Sequence, residues 1–438
     1  MYRGTGVRDR WDDEAVDLTV DTGVTFARTP TRDVALPALD GVPARRPSTL
    51  DRVSDQFNER WGLLAAGAGI GAGTTALLAA RAGRGIPGRV GMGALGALGG
   101  AALLIGGGVL LDTLRRRGTE SVSTAAAAGA DVAGTKPKAD ESLRVMSFNI
   151  HGSLGPGGEF LGNAADLERV AVAIDREHPD VVLLQEVDDH AIQSGFRDVL
   201  GTLADRLDAD GAVHATSVHT FTGRRNGTGV LTFNGVQVAD ARGIVSPDAF
   251  GEGSGRRMAA AADTVANFAA EKIAGREWHP FDAPMYRPRT TTDVMVTTPA
   301  GTAVRVLSGH WSWPSDGVDH PRRQIDPLAG LLPAWDGPTL IGGDFNVRSG
   351  TPAGDKEAAA FAKAGLHDAF TERGIALDDP ARRTFGGKVP HVTGAIDRIY
   401  ASDELEVANV RVGTHVVDGV DASDHNPLIV DYRLHAGA

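Results

Sequence analysis

The 438-residue chain contains no cysteine, which removes disulfides, thiolate nucleophiles and cysteine-ligated zinc together. Its chemistry has to rest on oxygen and nitrogen groups. Lysine is scarce beside arginine, and no basic stripe runs along the sequence. From Glu141 onward there are about 27 Lys and Arg against about 41 Asp and Glu, a net charge near −14, while the first 140 residues are slightly positive. A domain that tracks long duplex DNA would carry the opposite sign so as to release counterions, so this balance weighs against nucleic acid without excluding it. The pairs Arg224-Arg225, Arg256-Arg257 and Arg322-Arg323 could clamp phosphates locally, although such pairs more often stay solvated. No signal peptide is read at the start of the chain. With 42% hydrophobic and 23% charged residues there is material for a large core, and the length suits two to three domains.

What is present is a set of short pieces of one shape. They are RVMSFNIHG at 144–152, LLQEVD at 183–188, LSGHWSW at 307–313, LIGGDFNV at 340–347, and the closing pair AIDRIY at 395–400 and SDHNPL at 423–428. In each, an apolar or β-branched run ends in a carboxylate, amide or imidazole, the way a sheet points polar groups into a cleft at its strand termini. The groups delivered are Asn149, Glu186, His310, Asp344, Asn346, Asp397, Asp424 and His425. Singly, each has a plain structural reading: Gly-Asp-Phe-Asn suits an Asx turn, Ser-Asp-His a helix cap, and His310 a hydrogen-bonded surface histidine. Six in order at strand ends outweigh those readings.

Together they form an inventory for cutting a phosphate ester. Such an ester is anionic and repels hydroxide, so hydrolysis needs a divalent cation on the phosphoryl oxygens and a positioned water for in-line attack. Mg²⁺, with Mn²⁺ as a substitute, takes carboxylate, carbonyl and water oxygens, and Glu186 and Asn149 suit it, with Asp424 left to face metal or water. Asp344 can accept a proton from water while Asn346 orients it. His425 held by Asp397 can stabilise charge developing on the phosphoryl group.

This set resembles the endonuclease/exonuclease/phosphatase superfamily, whose members include pancreatic-type deoxyribonucleases, abasic-site endonucleases, neutral sphingomyelinases and inositol polyphosphate 5-phosphatases. The resemblance covers residues 143–434 and is carried by SFN, LLQEV, SGHW, GGDFN, IDRIY and SDH. It places His310 toward the substrate, and the Arg-x-Gln pattern that usually follows is present as Arg322 and Gln324. One departure is Gly309-His310-Trp311 where Thr-His-Leu is usual. The implied architecture is α/β (α+β): a four-layer sandwich of two mixed β-sheets packed face to face with flanking helices. The sequence agrees in its short polar-ended strands and in the helical spacing of Leu167, Val170 and Ile174. A longer excursion at 235–290, with a helix expected over 257–273, lies where substrate selection would sit. Trp278, His279, Trp311 and Trp313 could wall a base or lipid head group, and Arg322 and Trp311 are the candidate substrate-binding residues.

The N-terminal third differs. Residues 1–60 read as a polar, unstructured tail. Residues 62–80 and 90–111 are uncharged, each long enough to span a bilayer, and carry Gly67-x-x-x-Gly71 and Gly96-x-x-x-Gly100 spacings that let helices approach closely in lipid. They read as a transmembrane helical hairpin, 62–111, followed by a flexible linker, 118–142. Arginines outside the hairpin outnumber those in its connecting turn, which favours the cytoplasmic side of a cell membrane for both termini and the catalytic domain; if only one segment spans, the domain lies on the other side. The expected function is a membrane-anchored, Mg²⁺-dependent phosphohydrolase acting on a lipid phosphate or another phosphate ester. The alternatives are a deoxyribonuclease-like enzyme on nucleic acid and a non-catalytic binding module. No protein partner is inferable.

Overall fold

The central strands meet water on neither face. In the first long strand Leu143 and Val145 point one way and Met146 and Phe148 the other, none more than 1% exposed. Continuous apolar runs of this kind arise when a sheet is covered on both sides. The computed structural model describes residues 19–21, 25–26, 35–37, 141–153, 164–189, 194, 197–219, 225–246, 289–312, 320–385 and 395–435. Among them the strands are β1 (Thr19–Asp21), β2 (Thr25–Phe26), β3 (Ser142–Asn149), β4 (Val181–Asp189), β5 (Gly211–His219), β6 (Arg225–Thr232), β7 (Gln237–Ser246), β8 (Arg289–Thr297), β9 (Ala303–His310), β10 (Thr339–Asp344), β11 (His367–Asp368), β12 (Asp397–Ala401), β13 (Leu405–Val412), β14 (Val416–Val417), β15 (Val420–Asp421) and β16 (Leu428–Leu434). The helices are α1 (Ala164–Asp175), α2 (Val199–Arg206), α3 (His320–Ala329), α4 (Pro352–Lys363) and the single turn α5 (Ala369–Glu372).

Two mixed sheets result. One runs β1-β7-β8-β9-β10-β12-β11 and the other β13-β16-β3-β4-β6-β5-β2, while β14 and β15 pair only with each other. The parallel pairs are β9 with β10 and β3 with β4; the other neighbours are antiparallel. Val145, Leu183, Val230, Val294, Val306, Leu340 and Ile399 fill the space between the sheets. Leu167, Val170 and Ile174 of α1 cover one outer face together with Leu203 of α2, and Ile325 of α3 and Phe361 of α4 cover the other. The four-layer sandwich and the apolar stripe expected for α1 are therefore present.

The space between the sheets is graded. Toward one edge the residues continuing the same strand faces turn polar: Ser147 and Asn149 on β3, Gln185 on β4, Thr228 on β6, Thr292 on β8, Ser308 and His310 on β9, all buried. Buried polar groups are tolerated only where they bond one another or a ligand, so this edge is where a functional site has to be sought.

The N-terminal third contributes more than the sequence suggested. The segment read as an unstructured tail supplies β1, which pairs with β7 through Val20 opposite Ile244, and β2, which pairs with β5 through Phe26 opposite Val213. These pairings cover β7 and β5, on one side of each sheet, which would otherwise offer unpaired backbone to another chain. Farther along, the Leu36 amide donates to Asp240 Oδ2 at 3.1 Å and Arg242 Nη1 donates to the Pro37 carbonyl at 2.5 Å. Strands of two and three residues show no periodicity, which is why composition alone read this stretch as loose.

The hairpin expected over 62–111 and most of the linker lie outside the described residues. Among those described, no helix is long and apolar enough to cross a membrane. The excursion shrinks to 247–288, because β7 and β8 occupy its two ends, and the helix expected over 257–273 also lies outside the described residues. Removing residues 1–37 should uncover β5 and β7. We expect a lower thermal midpoint than the full chain, by about 2–4 °C for each kcal/mol lost, and self-association that grows with concentration in light scattering. An unchanged midpoint with no association would show that the edge strands contribute nothing.

Candidate active site

Three neighbouring strands place three of the sequence-derived residues in one row. In the parallel pair β9 and β10, His310 lies opposite Asp344; in the antiparallel pair β10 and β12, Asp344 lies opposite Asp397. The facing sheet contributes Asn149, at the end of β3, opposite Gln185 midway along β4, with Glu186 the next residue. Between Leu184 and Val187 the register of β4 against β6 shifts, and Glu186 takes a left-handed backbone (φ 54) within that irregularity. A bulge of this kind re-aims one side chain out of the strand alternation.

Glycine is required at two positions of this row, on the neighbouring strands β10 and β9 of one sheet. A Cβ on Gly343 would stand 1.9 Å from the Gly309 carbonyl oxygen, and one on Gly309 would stand 2.2 Å from the Trp311 ring. That second contact explains the Gly-His-Trp departure, since the indole occupies the space that a Thr side chain would take. Trp311 is 1% exposed and stacks on Phe345 with centroids 4.1 Å apart. The expectation that Trp311 walls the substrate is therefore corrected: its ring folds back beneath the strand and belongs to the core. Trp278, His279 and Trp313 lie outside the described residues, as does the side chain of Arg322 on α3. Gln324 accepts from the Ser312 amide at 3.0 Å and so holds the chain just beyond His310.

Asp344 is the centre of the row. Its Oδ2 accepts from Asn149 Nδ2 at 3.0 Å, across the gap between the sheets, and its Oδ1 accepts from the Asn346 amide at 2.8 Å. His310 Nε2 and His425 Nε2 lie 3.5 and 3.7 Å from Oδ2. Burial raises the Asp344 carboxyl to about 7, with Asp397 adding to the rise and His425 opposing it. A carboxylate poised there suits proton transfer at neutral pH.

The two histidines differ. His425 Nδ1 bonds Asp397 Oδ2 at 2.9 Å, leaving Nε2 toward Asp344. Burial acts to lower this imidazole, but Asp397 and Asp344 overcome it and raise it to about 10, so the ring is an imidazolium. His310 Nδ1 lies 3.1 Å from Arg289 Nη1. A guanidinium can only donate, so Nδ1 accepts there, and Nε2 is left on the side of Asp344. Asn346 Nδ2, 3.0 Å from the same Nε2, donates to the Trp311 carbonyl at 2.7 Å. Asp424 is one third exposed at the rim, 4.0 Å from His425 Nε2 and 3.8 Å from His151 Nδ1. Arg398, next to Asp397 in sequence, spends all five N–H groups on Glu357, Ser349 Oγ and the carbonyls of Val347 and Ala395, which fixes the loop carrying Asn346 against the strand carrying Asp397.

Residues 146–425 match the Endonuclease/Exonuclease/phosphatase family. The chain belongs to that family. Among solved structures, the endonuclease/exonuclease/phosphatase from Beutenbergia cavernae DSM 12333 is similar over 67% of this chain and 72% of its own, at 24% identity and a TM-score of 0.46. Truncated TDP2 from Caenorhabditis elegans is similar over 67% and 98%, at 19% identity and 0.45. TDP2 from D. rerio, solved with a single strand DNA product, is similar over 67% and 100%, at 16% identity and 0.44. No curated protein sequence matches.

As a member of the Endonuclease/Exonuclease/phosphatase family the protein is a metal-dependent phosphoester hydrolase. The residues fit such an ion. The donors are oxygen-rich and contain no thiolate, and Asp397 Oδ1 is buried with no hydrogen-bond partner. Glu186, Asn149 and Asp424 are the sequence-derived ligands; Asp344, Asp397 and His425, whose ligand atoms lie within 4.8 Å of one another, form a second group dense enough to hold a metal. Of the two, the first suits a cation better, because His425 is already charged and paired. Within the first group, Asn149 spends its amide on Asp344 and accepts the His151 amide on Oδ1 at 3.0 Å, which leaves one lone pair of that oxygen for a metal.

Arg289 was missed by sequence reasoning. It opens β8, which runs antiparallel to β9, so its start reaches the edge that β9 reaches with its end. A search of strand ends alone passes over it; a search of both termini of each strand, with direction alternating, would have found it.

Two outcomes follow from this geometry. Asp344→Asn should lower kcat by roughly 10²–10⁴ with substrate binding retained, and the losses from His425→Ala and Asp397→Asn should overlap in the double variant, because both remove one unit. Steady-state kinetics of the four variants tests this, and multiplied losses in the double variant would refute the pairing. Separately, Gly309→Ala should cost about 1–3 kcal/mol by overpacking the indole, and adding Trp311→Leu should recover part of it. Denaturant unfolding of the single and double variants checks that compensation.

Proposed function

We propose that the protein is a Mg²⁺-dependent phosphoesterase that acts on a phosphate ester at a membrane surface, with Asp344 as the base that activates water and His425 as the imidazolium that faces the phosphoryl group. The observation that carries this reading is the buried contact of Asp344 with His310 and His425, bridged to the other sheet by Asn149. A divalent cation held by Glu186 with Asn149 and Asp424 would supply charge neutralisation on the phosphoryl oxygens. The protein's own groups do the rest. Asp344 takes the proton of the attacking water as the new P–O bond forms and the ester P–O bond breaks on the opposite side. Asn346 holds the site around Asp344 through its backbone amide, and the imidazolium, kept charged by Asp397, stabilises the oxygens that gain charge.

The membrane part of the proposal is supported by the uncharged runs at 62–80 and 90–111 and by the acidic balance of the catalytic region. A further support is topological. Residue 37 and residue 141 are both tied to the same pair of sheets, so a segment between them that enters a bilayer returns to the side it left. That favours two crossings over one and agrees with the arginine distribution.

The test uses the full chain. Membrane fractions washed with alkaline carbonate should retain it. EDTA should abolish turnover and Mg²⁺ restore it, and Glu186→Gln should raise the Mg²⁺ requirement and lower kcat by about two orders of magnitude. On a panel of lipid phosphates, inositol phosphates and plasmid DNA, the lipid phosphates should be cleaved fastest. Preferential cleavage of DNA would move the reading to a nuclease, and full activity in EDTA would remove the metal assignment.

A further inference from the structure

Asp344, His310 and Asp397 are fixed by strand pairing, but His425 is carried on a turn between β15 and β16, and something else has to hold it. The residues that do so are Thr384 and Phe385, which no motif contains. The Thr384 hydroxyl oxygen accepts the amide of Asp397 at 3.1 Å and that of Ile396 at 3.2 Å, while its carbonyl accepts the Asn426 amide at 2.6 Å. One buried residue thus bonds the chain at Asp397 and the chain one residue past His425. Phe385 continues the contact. It forms an isolated β-bridge with His425, and its ring meets the imidazole edge-on, centroids 4.8 Å apart at 61°. Thr384 is fully buried and Phe385 is 5% exposed. A second tie comes from Ser423, whose hydroxyl donates to the Asn149 carbonyl at 2.6 Å and accepts the His425 amide at 3.2 Å.

We propose that Thr384 and Phe385 are positioning residues for His425: Thr384 sets the separation of Asp397 and His425, and Phe385 covers the ring and excludes water from the pair. The proposal rests on the proposed function, in which His425 faces the phosphoryl group. The physical reason is that an ion pair buried against an aromatic face is screened far less than one in water, and that a misplacement of about 1 Å can cost on the order of 10² in rate. The two amides that the hydroxyl accepts are those of Asp397, which opens β12, and of Ile396 just before it, so the hydroxyl acts on the strand end that carries the carboxylate. Valine has the shape of threonine without the acceptor.

The experiment compares Thr384→Val, Thr384→Ser, Phe385→Leu, His425→Ala and the Phe385/His425 double variant in the full chain, with a circular dichroism melt for each. Thr384→Val should lower kcat about 10–100-fold with KM within about twofold, and Thr384→Ser should restore most of the rate. In proton NMR, the far-downfield resonance of the His425 Nδ1 proton should be present in the wild type and in Thr384→Ser, and lost or broadened in Thr384→Val. Phe385→Leu keeps the backbone bridge and should lower kcat about tenfold, yet have no further effect once His425 is alanine. If Thr384→Val does not fold, Phe385→Leu and the double variant decide alone. Wild-type rates in Thr384→Val and Phe385→Leu, equal damage from valine and serine, or a full Phe385 effect in the absence of His425 would each overturn the proposal. A His425→Ala enzyme with normal turnover would instead refute the imidazolium reading on which it depends.

Discussion

Everything in the catalytic region is arranged around one difficult burial, that of Asp344 between two sheets. A carboxylate with almost no exposure is costly unless each oxygen is compensated, and here the compensation comes from four directions. Asn149 reaches it from the opposite sheet, the Asn346 amide from the turn it begins, and the two histidines from the neighbouring strand and the closing turn. Removing any of these leaves charge without a partner. This is why the functional residues are also structural, and why the inner face of the sandwich changes from Val, Leu and Ile to Ser, Thr, Asn and Gln along the strands. The close approach of the sheets at Gly342, where a Cβ would stand 2.7 Å from Leu183 Cδ1 of the facing sheet, belongs to the same constraint, since a longer gap would put Asn149 out of reach.

The sequence disclosed those parts of the site that obey strand logic. Asn149, His310 and Asp344 stand at the C-terminal ends of β3, β9 and β10, the two parallel pairs supply those ends, and an apolar run that stops at a polar residue is visible without coordinates. Asp397 was legible through its motif. Arg289 was not, because antiparallel β8 delivers its first residue and a Thr-rich start resembles any other strand opening. Thr384 was invisible for a different reason. It acts through a hydroxyl acceptor and a carbonyl, and no sequence pattern distinguishes such a threonine from one that fills a turn. Trp311 erred in the other direction: an aromatic beside a catalytic histidine looked like a substrate wall, whereas the missing side chain at Gly309 had already made room for it inside. The edge strands near residues 19–26 carry too few residues for any periodicity, so the fold's closure on that side came only with the structure.

The two histidines show how one residue type is given two sets of partners within a few ångströms. His425 has carboxylates on both nitrogens, Asp397 at Nδ1 and Asp344 toward Nε2, and is held positive despite burial. His310 instead has a guanidinium at Nδ1 and the Asn346 side-chain amide at Nε2. Exchanging the partners would exchange the roles. A cationic His310 would place a second positive charge beside Arg289 and would pull Asp344 down toward an ordinary carboxylate, weakening it as a base. A neutral His425 could still donate from Nδ1 to Asp397 Oδ2 but would leave the buried carboxylate without a counter-charge, with Oδ1 already lacking a partner. The division of labour at this site is therefore set by the groups behind the histidines, Arg289 on one side and Asp397 with Thr384 on the other, more than by the histidines themselves.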